Sequence, residues 1–502
     1  MIPSEPYPTR DRTADRTRGR LRAGGLALIA ALLLLALGVR TCPPESWRLV
    51  AGRRSGWALA PQLQQRQDQI RALRLPPGVE RLDWLWDGLE YVSASRSTVT
   101  AVAGLPSSLR SLDLSDSPVR LLHSPASLRS LDLRGTDVEV LPRLPKGFES
   151  LALGRRTGRL GRLPDSLETL VLDGARVDLL GLPTSLRELA LSGAELSSLE
   201  GLPSSLVALS LKGTNVRTLR GLPGSIRSLE LIGNDQLLLD HLPPLLVRLV
   251  VAGSRVPDLG GLRFLEALDL AGTELTTPPP AFPPSLTELR IGAATLDPKT
   301  LSSLLHPPLR RLALVGGRFE NVPALPGTLE ALELSWFAGA GLPQLPASIR
   351  ELDLSWSTVP SLGELPDSVR VLDLSTVGVT GIDRLPRSLD TLRLRWSRLR
   401  ALPRLPDSVR SLDLEGAQEI RELGDLPAGL RSLNVSRSRI ERLTDLPLSL
   451  RFLDISNSRI GSLDGLPSGL QVLVLDTDQV DSLEGLPPSV HTLLFVEPIA
   501  AS

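Results

Sequence analysis

Residues 105–122 read LPSSLRSLDLSDSPVRLL. Reduced to LPxSLxxLxLxxSxVxxL, the phrase recurs almost to the C-terminus: residues 182–199 are LPTSLRELALSGAELSSL and residues 446–463 are LPLSLRFLDISNSRIGSL. Leu109, Leu112, Leu114 and Val119 mark one phase, repeated by Leu186, Leu189, Leu191 and Leu196 and again by Leu450, Leu453, Ile455 and Ile460. The interval is about 20 residues, with roughly twenty copies from Leu89 onward. In LRSLDLS the leucines alternate with polar residues, which is strand period. Leu112 and Leu114 are expected to point inward, and Ser111, Asp113 and Ser115 outward. Stacked coils then form one long parallel sheet. About a dozen residues remain for the return, too few for a long helix and two turns. Pro106, Pro183, Pro203 and Pro366 fix φ and remove donors there. The return side is therefore expected to be extended or polyproline-like, and the unequal widths of the two sides predict a curved stack with the sheet on its concave face.

The chain resembles the leucine-rich repeat family. Its LPxSLxxLxL phrasing is similar to the short LPX-type repeats of bacterial type III secretion effectors, over roughly residues 89–496. The family carries Asn where this chain has Ser117, Thr136, Ala175, Ala194, Thr214, Ser254, Thr273 and Ser438; Asn234 alone keeps the amide. Ubiquitin-ligase effectors of that family use a cysteine in a separate C-terminal domain. The single cysteine here, Cys42, lies before the repeats, and a membrane anchor is foreign to those effectors.

The 502 residues carry 56 basic and 56 acidic side chains, a formal net charge of zero. Nothing in that balance suggests nucleic acid, which calls for a basic face. One cysteine excludes an intrachain disulfide framework and a cysteine-based zinc cluster. The four histidines, His123, His241, His306 and His491, fall in different coils without a common phase, so no metal or other cofactor is expected.

Ahead of the repeats, residues 1–22 form an Arg-rich polar tail. Residues 23–39, AGGLALIAALLLLALGV, contain no charge. That length is at the lower limit for a membrane-crossing helix. We read it as an uncleaved signal anchor of a single-pass protein, with the N-terminus cytoplasmic and the repeats periplasmic or extracellular. A cleaved signal peptide and a lipoprotein signal ending at Cys42 remain alternatives. Residues 40–60 are a juxtamembrane linker, and residues 61–88 an N-terminal cap, with a short helix expected over PQLQQRQDQIRALRL and with Trp84 and Trp86 covering the first coil. Within the array, DPKTLSSLLHPP predicts a helical turn inserted on the convex side. Residues 497–502 are a tail. No polar cap is evident after HTLLFVEP, which makes the last strand a candidate for self-association.

Aromatics are 3% of the chain, so their positions are informative. Two residues after the second strand leucine most coils carry Gly, as at Gly193, Gly213 and Gly233. There Trp336, Trp356 and Trp396 stand instead, with Thr376 between. Exposed Trp rows are common interface anchors; rings lying flat over neighbouring turns are the structural alternative. Glu333, Asp353, Asp373, Arg393 and Arg395 surround the row and complete the candidate ligand-binding set. The plainer strip of Val250, Ala267, Ala271 and Ala313 is the fallback. Asp113, Asp132, Asp269, Asp353, Asp373, Asp413 and Asp454 share one phase. They could serve a carbohydrate-active enzyme, but a repeated solvent position explains them too, and triad, metal motif and phosphate loop are missing. The expected function is binding of a protein or other macromolecule on the concave face, without catalysis. A self-associating envelope spacer is the second reading.

Overall fold

The computed structural model describes residues 72–496, apart from 76–78, 142, 156–161, 175–178, 180, 197, 235, 254–258, 274–281, 294–295, 306–307, 380, 477–478, 480–484 and 491. The expected tail 1–22, anchor 23–39, linker 40–60, Cys42 and tail 497–502 lie outside the described residues. Among those described, no helix is long and apolar enough to cross a membrane.

The repeats form a leucine-lined parallel solenoid with almost no helix. Among the described residues twenty-two strands make one sheet, each paired in parallel with the strand of the next coil. Like residues face like: Leu112 pairs with Leu131, Leu189 with Leu209, and Leu352 with Leu372. The alternation read from LRSLDLS is realised. In Ser111–Asp113 and Glu351–Asp353 the middle leucine is buried and its neighbours are half-buried. Leu109, Leu112, Leu114 and Val119 are at most 1% exposed, and every later member of that phase named above is buried. One core runs the length of the array, as a stack of coils that cannot close a core singly requires.

The LPxS phrase makes the turn that enters each strand. The proline carbonyl accepts from the N–H three residues on, as in Leu109 to Pro106, Leu206 to Pro203 and Val369 to Pro366. The proline thus contributes an acceptor as well as a fixed φ. The serine of the phrase then ties coil to coil: the hydroxyls of Ser185, Ser205, Ser225 and Ser489 each donate to a carbonyl of the preceding coil, to Leu167, Leu186, Leu206 and Leu470, all at 2.7 Å. Hydroxyls also serve where the family has its amide ladder. Ser97 N–H and Oγ both donate to Ser117 Oγ, which donates to Ala94 O. Asn234 accepts from Thr214 and donates to Leu211 O.

The sheet begins earlier than expected. Ala72–Arg74 is a strand paired with Tyr91–Ser93, so a helix from Pro61 does not reach the end of that stretch. The physical reason is that RALRL is itself an xLxL phrase, with Leu73 in register with Val92 and Leu75 buried. Trp84 and Trp86 pack half-buried against this first part of the core. Among the described residues the return side carries only short pieces, such as the pair Ala101–Val102 and Leu121–Leu122. The inserted helix is present as Pro298–Leu304. Asp297 caps it, accepting from the N–H groups of Lys299 and Thr300, and Leu301 and Leu304 are buried. At the far end Thr492–Val496 pairs with Val472–Asp476; its outer edge pairs with no described strand.

The serine ladder has an internal control. Ser408 Oγ donates to Leu389 O and Arg387 O, whereas the buried Ser368 Oγ has no partner among the described residues. Ser408→Ala is expected to lower stability by about 1 kcal/mol in urea denaturation, and Ser368→Ala to leave it unchanged or raise it. Equal losses would remove the hydroxyl from the account of coil stacking.

Candidate functional site

The aspartate column does not simply face solvent. Its carboxylates accept from the backbone two residues on: Asp113 Oδ1 accepts from Ser115 N–H, Asp269 from Ala271, Asp353 from Ser355, Asp373 from Ser375 and Asp454 from Ser456, at 2.7–2.9 Å. Asn434 makes the same bond to Ser436. Each is an acid or amide satisfying the N–H two residues on, as in an Asx-turn. The carboxylates are thus engaged in shaping turns, which corrects their reading as a bare solubility ladder and weakens their candidacy for acid–base work.

Burial raises several of them. Asp132, Asp269 and Asp454 lie above the ordinary carboxylate range chiefly because burial penalises the charged form. Asp353 is pushed up to about 6, first by burial and then by the charge of Asp373 in the next coil, with Glu333 adding to it and the bonds from Ser355 opposing it. Glu333, Asp353 and Asp373 are direct register partners on consecutive strands, so their mutual repulsion follows from the pairing itself.

Between Arg248 and Arg393 the exposed sheet face holds a groove of about 360 Å³. Its floor includes Ala267, Ala313 and Ala331, and its sides carry long charged residues. Register explains why the floor stays open. Arg290, Ala313 and Glu333 are successive partners, and Arg290 Nη1 reaches over the alanine to donate to Glu333 Oε2 at 2.8 Å. Likewise Arg311, Ala331 and Glu351 are successive partners, and Arg311 donates from both Nη atoms to the Glu351 carboxylate at 2.8 and 3.1 Å. Two bridges thus cross the same stretch, each skipping one coil. Exposed pairs are worth at most about 1 kcal/mol each; what they do here is hold both arms of each pair in place over small residues.

The Trp row lies at the end of the strands, outside the groove. The φ angles explain the glycines: Gly193, Gly213 and Gly233 stand at +58°, +57° and +66°, in the left-handed region. Trp336, Trp356 and Trp396 adopt the same turn at +64°, +64° and +53°, and Thr376 at +60°. Bulky residues there are strained by about 1–3 kcal/mol. Trp336 and Trp356 stack, with centroids 4.9 Å apart and planes within 7°. The Trp396 ring lies across the turn at Gly416, where an added Cβ would collide with it. The three residues nonetheless remain 38%, 36% and 45% exposed. Anchor and cover are both present in this geometry.

Of the candidate set, the structure brings Glu333, Asp353, Asp373 and Arg393 together in the groove and places Trp336 and Trp356 face to face. Arg395 is drawn away, pairing with Asp413 and Glu415 of the following coil. Ala267 and Ala313 of the fallback strip are part of the groove. Sequence reasoning missed Arg248, Arg290, Arg311 and Ala331. A table of the first and third strand positions would have revealed them, as alanines flanked on both sides by opposite long charges. Among the described residues no group of acids, histidines or cysteines is arranged to hold a metal ion.

Asp353 supplies a pH test. Its folded value of about 6 lies above the ordinary aspartate value of 3.8, so protonation favours the fold. That contribution is complete below 3.8 and is lost as pH rises through about 6. Asp353→Asn keeps the acceptor for Ser355 N–H, as Asn434 does, and removes the charge. It is expected to stabilise the protein by about 1–3 kcal/mol at neutral pH and to have little effect at acid pH, checked by urea denaturation at both. A pH-independent difference would refute the assignment.

No family model matches the chain. No curated protein matches it either. Among solved structures it is similar to YopM from Yersinia enterocolitica WA-314, at 24% identity over 89% of this chain and 99% of that one, with a TM-score of 0.40. It is also similar to YopM of Yersinia pestis, a leucine-rich effector protein, at 22% identity over 80% and 86% of the two chains, with a TM-score of 0.32. A Shigella effector LRR domain gives 22% identity over 31% and 77%, with a TM-score of 0.26. At these identities and scores the likeness transfers no partner or role; the leucine-lined solenoid of this chain rests on its own register and core.

Proposed function

We propose that this chain is a non-catalytic binding protein that holds a protein partner on the exposed, concave face of its sheet. The observation that carries the reading is the stacked Trp336–Trp356 pair. The fold accepts glycine at that turn in most coils, yet here it retains strained, partly exposed indoles. Trp is enriched among interface residues that dominate affinity. The groove beside it supports the same face, because its Arg290–Glu333 and Arg311–Glu351 bridges hold charged groups in place before a partner arrives. Use of the aspartates as turn acceptors favours binding over a hydrolytic role. A rigid solenoid with a broad face is suited to recognition, an argument from architecture.

In this reading residues 23–39 anchor the chain by a single membrane pass and present the repeats outside the cytoplasm. The support is the uncharged apolar run behind an Arg-rich tail. The outer edge of Thr492–Val496, which pairs with no described strand, offers a second, self-associating contact.

Substitution by glycine separates anchor from cover. Trp336→Gly and Trp356→Gly retain the turn's preferred residue, so melting is expected to be unchanged or higher. Affinity for a protein captured by crosslinking from the native membrane should fall by about 2 kcal/mol or more for each. Lower melting with unchanged capture would make the rings structural covers and end this reading of the row.

A further inference from the structure

The residue just before each strand forms a column of its own along one rim of the sheet. Its backbone is part of the ladder: Arg370 N–H donates to Arg350 O, Asp390 to Arg370, Arg410 to Asp390, Arg431 to Arg410 and Arg451 to Arg431, all at 2.7–2.8 Å. Six successive coils therefore set Arg350, Arg370, Asp390, Arg410, Arg431 and Arg451 side by side, about 4.8 Å apart from one to the next. Five are cationic and one is anionic. All are exposed except Arg410, which is half-buried.

Upstream, three arginines of the same column are paired: Arg110 with Glu90 at 3.4 Å, Arg129 with Glu149, and Arg310 with Glu330 at 3.0 Å. Arg187 and Arg227 stand singly there, with Glu168 and Val207 beside the first and Val207 and Val247 beside the second, so no two like charges are neighbours around them. In the six coils from Arg350 to Arg451 no carboxylate of the described residues pairs with any of the five arginines. Arg410 and Arg451 donate only to backbone carbonyls, of Asp407 and Val409 and of Leu448, Leu450 and Gly469. Neighbouring like charges on adjacent strands disfavour the fold. The fold does not need them, since Val207, Val247 and Thr287 occupy the same column elsewhere. A row kept against self-repulsion points to an external anion.

The surroundings limit its shape. Asp353, Asp373, Asp413 and Asp454 stand three residues further along these strands, about 10 Å from the row. A broad polyanion such as duplex nucleic acid or an anionic membrane would lie on those carboxylates as well. A single extended chain can follow the rim alone. We infer that this rim docks an acidic, extended polypeptide segment, each of whose carboxylates meets a guanidinium in charge-assisted hydrogen bonds. The surface is separate from the Trp row and does not depend on the reading given to it.

The test is fluorescence anisotropy of a labelled oligoglutamate with the full-length chain in neutral detergent at low salt. Binding is expected, weakening steeply with added salt. The double variant R370E/R431E should lose about tenfold or more in affinity, R370Q/R431Q should lose less, and R129E, among the paired arginines upstream, should lose little. W336G/W356G should bind as the parent does, which keeps a failure here distinct from a failure of the Trp reading. No binding at low salt, or unchanged binding by both double variants, overturns the inference. Equal or tighter binding of a single-stranded oligothymidylate with the same variant sensitivity also overturns it and assigns the row to nucleic acid. Melting curves check that variants are folded; should the Glu pair fail, the Gln pair decides.

Discussion

No coil of this protein can bury its leucines alone, and everything else in the structure answers to that constraint. Leu112 has a ceiling because Leu131 lies in register beside it, and the same holds at Leu352 and Leu372. Inward positions are therefore held mostly by Leu, Ile and Val over hundreds of residues, with an occasional Phe148 or Ala94. The coil-to-coil bonds of the LPxS serines fix the spacing between those layers. What remains free to vary is the outward set, and all the surface chemistry is written there.

That surface chemistry is not separable from the architecture. Asp353 and Asp373 close their turns by accepting from Ser355 and Ser375, and the same carboxylates make the face acidic. In Glu351–Asp353, Val371–Asp373 and Phe452–Asp454 the aspartate is the last residue of a three-residue strand; across the middle coils strands are longer, five residues where Ala190, Ser210 and Val250 hold the position and six around Asp269. The groove lies where the two regimes meet, with arginines reaching over alanines to acids of the next coil but one.

Much of the fold was legible because leucine spacing is a direct record of which side chains face inward. The strand phase, the short return and the helix at Pro298–Leu304 follow from period and proline placement. The first strand was obscured because RALRL satisfies helical and strand spacing at once, and only the pairing of Leu73 with Val92 decides between them. The exchange of Gly for Trp was visible as a pattern, but its cause, a left-handed φ, is a backbone property that no side-chain alphabet spells out. The groove was missed for a related reason. Arg290 and Glu333 are 43 residues apart, and their proximity appears only once the coils are stacked.

The left-handed turn has a consequence for how such a chain can change. Its conformation is nearly the same whether the residue is Gly233, Asp116, Arg437, Asn457, Thr376 or Trp356, with φ between 54° and 66°. The position therefore behaves as an address that can be rewritten one coil at a time, at intervals of about 4.8 Å, while the layers beneath keep their registration. A lineage of such chains can exchange an aromatic edge for a basic or neutral one by isolated replacements, at a penalty of a few kcal/mol at most for each, without solving the folding problem anew.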